Sequence, residues 1–366
     1  MKFGLMTQLQ MPRPWEPGAE RDAFHNAVSQ AVAGEARGFE YFWITEQHFY
    51  YEIGHCSAPD MMLAAISQLT RSLRLGFAVI LVPCHNPFYV AERVATLDVL
   101  SDGRVEFGSG RGTSPYVVEG LGFDPAQGRD VGREAMGAIL KMFEQDFFPG
   151  HTGKHFELPP RHVVPRPLQQ PHPPLWYVAS NFDTYERAGS DGVGIIGVTR
   201  NTPHETATAI AAYRAAIRRS QPAQWLGRQS NEQVGVYAIA ACDSDDGIGR
   251  RLACSAARWY YGDNDAEVNK HRFATAQGGA RQVVEKIVRR SDDELIDDAM
   301  AMGGNPDTVC RQVEKMGRGG GRSDDIHVPG RPYDTRAGHA LDRAGRRQST
   351  AALRVTRLSI VGRGER

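Results

Sequence analysis

Short apolar runs alternate with amphipathic stretches from the first residue to about position 316. KFGLMT opens as a strand, and residues 21–37 repeat apolar positions at helical spacing up to Gly38. EYFWITE reads as a second strand. PDMMLAAISQLT follows as a helix that opens on proline, where the missing N–H would have no partner anyway. LRLGFAVILVP is apolar without a break, the composition of a strand covered on both faces. NPFYVAERVATLDVLS is helical, and SDG turns the chain into RVEFGSG, a fourth strand. PLWYVAS, GVGIIGV and QVGVYAIAA are three more strands, with DTYERAG and HETATAIAAYRAAIRR helical between them. Seven such units at this length predict an α/β fold, a (β/α)8 TIM barrel, over a doubly wound sheet. Residues 149–173, rich in Pro and His, make a long loop between units four and five, a candidate for function.

Barrels of this kind gather their chemistry where the strands finish. After the second strand stand Glu46, Gln47 and His48; the third ends in Pro83, Cys84, His85, Asn86 and Pro87. The fourth delivers Ser109, Gly110, Arg111, Gly112, Thr113 and Ser114, the fifth Ser180 and Asn181 with Thr184 one turn on, and the sixth Thr199, Arg200 and Asn201. GSGRG is neither the dinucleotide fingerprint nor a P-loop. Its small residues let the backbone turn, and they also let the Arg111 guanidinium approach an anion. Ser180, Asn181 and Thr184 read as a helix cap and first turn, which is also a ready phosphate site. One arginine and one capped helix end suit a single phosphomonoester, hence a mononucleotide cofactor. His48, His55, His85, Cys56 and Cys84 fall in two loops, but without HxH, HExxH or a carboxylate cluster, so no metal is expected. GxSxG is absent, which argues against a serine nucleophile.

The chain has 366 residues, a net charge of zero and a hydrophobic fraction of 41%. That balance gives no reason to expect nucleic acid or a membrane surface as partner. Five scattered cysteines without a CxxC pair fit a reducing compartment. The first residues read as a strand and its loop, not a signal peptide, so a soluble cytoplasmic protein is expected.

HNPFYVAERVATLDVLSDGRVEFGSGRG, EQHF and YVASNFDTYERAG together resemble the bacterial luciferase-like, flavin-dependent monooxygenases, over residues 1 to about 316. The resemblance implies a (β/α)8 barrel of luciferase-like type that binds reduced FMN or, in related branches, the deazaflavin F420. Reduced flavin and O2 would oxygenate a small organic substrate, with a separate flavin reductase as the flavin source and a homodimer as the assembly. By the same resemblance Arg111 with Ser180, Asn181 and Thr184 would hold the flavin phosphate, flanked by Gly110 and Ala179. Ala78 and Val79 occupy the positions of the family's non-prolyl cis peptide under the ring. Glu46, Gln47 and His48 would be the catalytic group at the barrel rim, with the substrate entering past Gln47, His48 and the 149–173 loop. Gln47 replaces the first histidine of the family's EHHF; an amide orients by hydrogen bonds but cannot shuttle protons. Gly110 stands where luciferase carries a reactive cysteine, so light emission is not implied. EQHF favours FMN over F420. The rival readings are F420-dependent hydride transfer on the same barrel, and a non-catalytic or defective flavin-binding paralogue.

Residues 317–366 break the pattern with eleven arginines, nine glycines, and no lysine, phenylalanine or tryptophan. NPDTVCRQVEKM reads as the helix before an eighth strand, but only RVTRLSIV in the tail is strand-like. Back-translated with permitted codons and read one nucleotide later, the stretch IHVPGRPYDTRAGHALDRAG after Gly317–Arg322 can give a sequence patterned like the family's last strand, loop and helix. The expectation is therefore a barrel domain over 1–316 and a frameshifted, partly disordered tail over 317–366. The last βα unit would be lost and sheet edges exposed on the first and seventh strands.

Overall fold

Ten strands form one sheet that curls into a ring in the computed structural model. The structure describes residues 1–112, 114–179, 181–198, 201–263, 285–320 and 355–362, with backbone alone for 263, 318–320 and 355–362. In chain order the elements are β1 (Lys2–Thr7), α1 (Ala19–Glu35), β2 (Tyr41–Ile44), α2 (Pro59–Leu69), β3 (Arg74–Phe77), β4 (Ile80–Leu81), α3 (Pro87–Leu100), β5 (Val105–Gly110), α4 (Pro115–Gly120) and α5 (Gly128–Glu144). Then follow β6 (His151–Thr152), β7 (Glu157–Leu158), β8 (Leu175–Ala179), α6 (Phe182–Ser190), β9 (Gly194–Val198), α7 (Pro203–Arg219), β10 (Val234–Cys242) and α8 (Asp246–Arg258). The last are α9 (Asp292–Asp297), β11 (Met302–Gly304), α10 (Pro306–Gly320) and β12 (Val355–Gly362).

β1, β2, β3, β5, β8, β9 and β10 are parallel neighbours in that order. The helices begin where local chemistry starts them. The Asn86 side chain accepts the Phe88 N–H at 2.9 Å with Pro87 at the first helical position of α3, and Thr202 and Glu205 form a capping box at α7.

Two sequence expectations are corrected. The third strand is not continuous: it stops at Phe77 and resumes as β4 after a cis Ala78–Val79 peptide. No gap stands between the first and seventh strands, because β12 pairs antiparallel with both β1 and β10. The eighth position of the ring is thus filled by backbone running against its neighbours, and the ladder leaves neither edge open.

The interior of the ring is aromatic. Trp43 is fully buried, stacked on Tyr41 at 5.7 Å and edge-on to Trp176 at 5.2 Å. Gly76 makes this possible, since a Cβ there would lie 1.9 Å from the Trp43 ring. Outside the ring a larger apolar layer, including Leu63, Ile66, Val94, Ile139 and Phe143, seals the sheet against its helices.

At the strands' N-terminal end the chain builds a saturated polar knot. Arg104 is buried and donates to the carbonyls of Ser101, Leu73, Ser67 and Thr70 and to the Thr70 hydroxyl, at 2.6–3.2 Å. Asp98, wholly buried, accepts from the Gln169 N–H at 2.9 Å and its amide at 2.7 Å. Glu106, also buried, accepts from Trp176 Nε1 at 2.5 Å and from Arg74. Burial pushes the Glu106 carboxyl up, against the pull of Arg74 and Trp176.

The 149–173 loop belongs to this end as well. It forms the β6–β7 hairpin, and Glu134 of α5 accepts the backbone N–H groups of Lys154, His155 and Phe156 at 2.9–3.1 Å. Gln169 ties its far side to Asp98. A loop that leads from a helix into a strand lies at the strands' N-terminal side, so it does not guard the opposite mouth as the sequence reading expected.

Candidate functional site

A cavity of about 390 Å³ opens at the C-terminal ends of the strands. The loops after β1 and β2 frame one side: Met11 N–H donates to Glu52 O at 2.8 Å, Gln47 N–H to Cys56 O at 2.8 Å, and His55 N–H to Leu9 O at 3.1 Å. Trp15 packs on Tyr51 at 4.5 Å beneath the Arg13 guanidinium, 4.1 Å from the Tyr51 ring, and fixes the outer rim.

Glu46, Gln47, Ala78, Val79, Gly110, Arg111, Asn181 and Thr184 all line the cavity, so the structure brings these sequence candidates together. Ser109, Gly112 and Ser114 line it too. His48 does not; its Nε2 turns back onto Glu46 Oε1 at 2.7 Å. Ala179 does not either, because strand alternation sends it into the sheet–helix layer while Val178 faces the cavity. Ser180, Thr113, Thr199 and Arg200 lie outside the described residues.

The inner end is organised around Glu46, whose carboxylate is 2% exposed. Oε1 also accepts from His85 Nε2 at 2.7 Å, and Oε2 accepts the Leu81 N–H at 2.8 Å. Burial alone would raise this carboxyl, but the His48 and His85 bonds, the charge on His85 and the Leu81 N–H hold it down at about 2. Glu46 is therefore a fixed anion at neutral pH. Burial and then the Glu46 charge push the Cys84 thiol up to about 11, and burial carries Cys56 to about 12, so neither is a thiolate nucleophile.

Glycines shape the wall between the two ends. A Cβ at Gly108 would sit 2.0 Å from the Phe77 carbonyl, and one at Gly110 would sit 2.2 Å from the Val79 side chain. The GSG of β5 thus lets the strand lie against the Phe77–Val79 segment, and Gly112, at φ +69, turns the chain after Arg111.

The outer end is cationic. Arg111, Arg129, Arg133 and Arg187 line it together with Asp130 and Asp191. Burial and then the nearby Arg129 and Arg187 charges lower the Arg111 pKa, the mark of like charges held close. Arg133 donates to Asp191 Oδ1 at 2.6 Å, Tyr177 donates to Asp191 Oδ2 at 3.0 Å, and Arg187 lies 5.6 Å from the centre of the Tyr177 ring. Asp191 is thereby occupied, and four arginines against two aspartates leave an anion-binding surplus. The buried Ser114 Oγ and Asn181 Oδ1 have no hydrogen-bond partner among the described residues. A half-turn of the Asn181 amide presents its NH2 to an anion.

The sequence reading found Arg111 but not Arg129, Arg133 or Arg187. The signal was the i, i+4 spacing of 129 and 133 on α5, and Arg187 one turn after Thr184 on α6. His85 was noted, though not as a partner of Glu46. Among the described residues no group of three or more His, Cys, Asp or Glu is arranged to hold a metal ion, and no helix is long and apolar enough to cross a membrane.

Comparison with known proteins adds the lineage. The oxygenase component of a flavin-dependent trigonelline monooxygenase from Acinetobacter baylyi is 25% identical over 197 residues, 53% of each chain. Limonene 1,2-monooxygenase from Rhodococcus erythropolis is 35% identical over 132 residues, 35% of this chain and 34% of that one. The chain spans about half the length of the curated relatives it matches, or less. Among solved structures, the oxygenating constituent of 3,6-diketocamphane monooxygenase from Pseudomonas putida, in complex with FMN, superposes with a TM-score of 0.69 at 19% identity, covering 88% of this chain and 89% of that one. An F420-dependent secondary alcohol dehydrogenase superposes at 0.63 and 18%, covering 87% and 91%. At such identities the likeness is one of fold. The model of the luciferase-like monooxygenases matches residues 1–323, and the chain belongs to that family.

Proposed function

We propose that the chain is the oxygenase of a two-component system that takes reduced FMN from a separate flavin reductase and uses O2 to oxygenate a small organic substrate. The observation that carries the reading is the cationic end of the cavity. Four arginines and two aspartates leave two unmatched positive charges, the complement of a phosphomonoester dianion. The residues fit the group: Arg111, Arg129 and Arg187 with Asn181 and Thr184 would hold the phosphate, and the ring would lie over Ala78–Val79 against the glycine wall of β5. When bound, reduced FMN supplies the electrons that activate O2.

The chain's own residues then have separate duties. Arg133 and Tyr177 neutralise Asp191, so that it does not repel the phosphate. Glu46, clamped by His48 and His85, orients groups at the inner end without titrating near neutrality. Gln47, at the cavity wall, directs hydrogen bonds to the substrate but moves no proton. Tyr50, Tyr237, Tyr260 and Tyr261 line the remaining wall and favour an uncharged organic substrate. A second copy of the chain would cover the apolar side chains that α2 and α3 expose, namely Met61, Leu69, Tyr89, Val99 and Leu100. Sedimentation of the purified protein as a dimer would support that part, and a monomer at micromolar concentration would remove it.

The test is anaerobic titration with reduced FMN and, separately, reduced F420, followed by mixing each complex with oxygenated buffer. Saturable binding of reduced FMN and uptake of O2 by the complex support the reading. Preference for F420 with no O2 uptake would replace it by hydride transfer on the same barrel.

A further inference from the structure

The inner end of the cavity carries two polar groups that no described residue satisfies. Gln8, just beyond β1, and Thr45, just beyond β2, are each 6% exposed. Both line the cavity beside Glu46, Ala78 and Val79. Thr45 N–H donates to Thr7 O at 3.2 Å, which keeps the two strand ends together, and Glu46 N–H donates to Val79 O at 3.2 Å. Gln8 Oε1 and Thr45 Oγ1 are buried with no hydrogen-bond partner among the described residues. Orphaned buried groups are costly and uncommon in a folded protein. At the other end of the barrel, by contrast, buried Arg104 spends every N–H on the protein itself.

From this juxtaposition we infer that Gln8 and Thr45 bind the pyrimidine edge of the flavin ring, the cyclic imide in which one ring N–H is flanked by two carbonyls. The chemistry is complementary. The Gln8 carbonyl oxygen can only accept, so the ligand must bring an N–H or O–H donor. The Thr45 hydroxyl can donate, so a carbonyl next to that donor completes the pair. A cyclic imide supplies donor and acceptor side by side on one flat edge. An aliphatic or terpene substrate supplies neither. FMN and F420 share this edge, so the inference rests on the reading of the cavity as a flavin site but not on which of the two flavins occupies it.

The experiment is equilibrium titration of the full-length protein, anaerobically, with reduced FMN and with reduced FMN methylated at the imide nitrogen. Wild type should bind the methylated flavin about tenfold more weakly, the loss of one neutral hydrogen bond to a buried acceptor. Gln8→Ala, which removes the acceptor and leaves room for a methyl group, should bind both flavins alike. Thr45→Val, close in shape, should weaken both by about fivefold. Equal binding of the two flavins by wild type would overturn the inference, and so would a methylation penalty that survives in Gln8→Ala. The wild-type comparison needs no variant and stands even if one of them folds poorly. If wild type binds FMN in competition with inorganic phosphate but ignores methylation, the inference falls and the flavin site remains. If wild type binds neither FMN nor F420, both fall together.

Discussion

The polar knot around Arg104 and the cavity at the opposite mouth treat buried polarity in opposite ways. At the N-terminal end Arg104, Asp98 and Gln169 are hydrogen-bonded to one another's surroundings on every side. At the C-terminal end Gln8, Thr45, Ser114 and Asn181 keep buried oxygens without partners among the described residues, and Arg111, Arg129 and Arg187 crowd together. The knot spends its polar groups on the fold. In the proposed reading the cavity keeps its own for a ligand, at a cost in stability.

The largest effect that would sharpen the contrast comes from the saturated end. Arg104→Ala strands four carbonyls and a hydroxyl, and should cost on the order of 4 kcal/mol in urea unfolding. The surviving folded fraction should bind flavin as before; a loss under 1 kcal/mol would break the comparison.

Glu46 comes next, because it is a buried and fully hydrogen-bonded anion at the open end. Its pKa is lowered from the ordinary carboxyl range to about 2. Its contribution to stability is therefore complete above about pH 4.5 and is lost as pH falls through about 2, an effect of about 3 kcal/mol. Unfolding free energies measured across that window should show an acid limb that Glu46→Gln flattens. An identical limb in the variant would assign acid sensitivity elsewhere.

Removing Arg111 tests the reserve directly. Arg111→Ala should weaken FMN binding by about 2–3 kcal/mol, roughly 30–150-fold, by loss of charge-assisted bonds. Riboflavin, which lacks the phosphate, should bind wild type and variant equally, and an equal loss for both ligands would contradict the assignment. The smallest effect is expected inside the ring. Gly76→Ala drives a methyl into Trp43 and should cost about 2 kcal/mol of stability by overpacking, read from a urea midpoint.

Much of the scaffold was legible because one periodicity repeats along it: KFGLMT, YFWI and GIIGV are strands in the structure as in the sequence. The break at Ala78–Val79 was not legible from hydrophobicity, since LRLGFAVILVP is apolar throughout; only the family resemblance marked those two positions. Part of the stretch that carried the resemblance, LDVLSDGR, is in the structure the saturated knot, with Asp98, Ser101 and Arg104 holding the fold. The cationic end was half legible. Arg111 stood out between glycines at a strand end, whereas Arg129, Arg133 and Arg187 sit on helices where arginines ordinarily face water, and only the fold brings them to the rim of one cavity. Gln8 and Thr45 carried no motif at all; their meaning depends on having no partner, which only coordinates reveal.

The central claim is that the open end of the barrel is a flavin phosphate and ring site. The measurement that tests it most directly is the anaerobic affinity of the full-length protein for reduced FMN beside that for reduced riboflavin. Saturable FMN binding, at least about 30-fold tighter than riboflavin, is the predicted result. Equal affinities, or no binding of either, would contradict it.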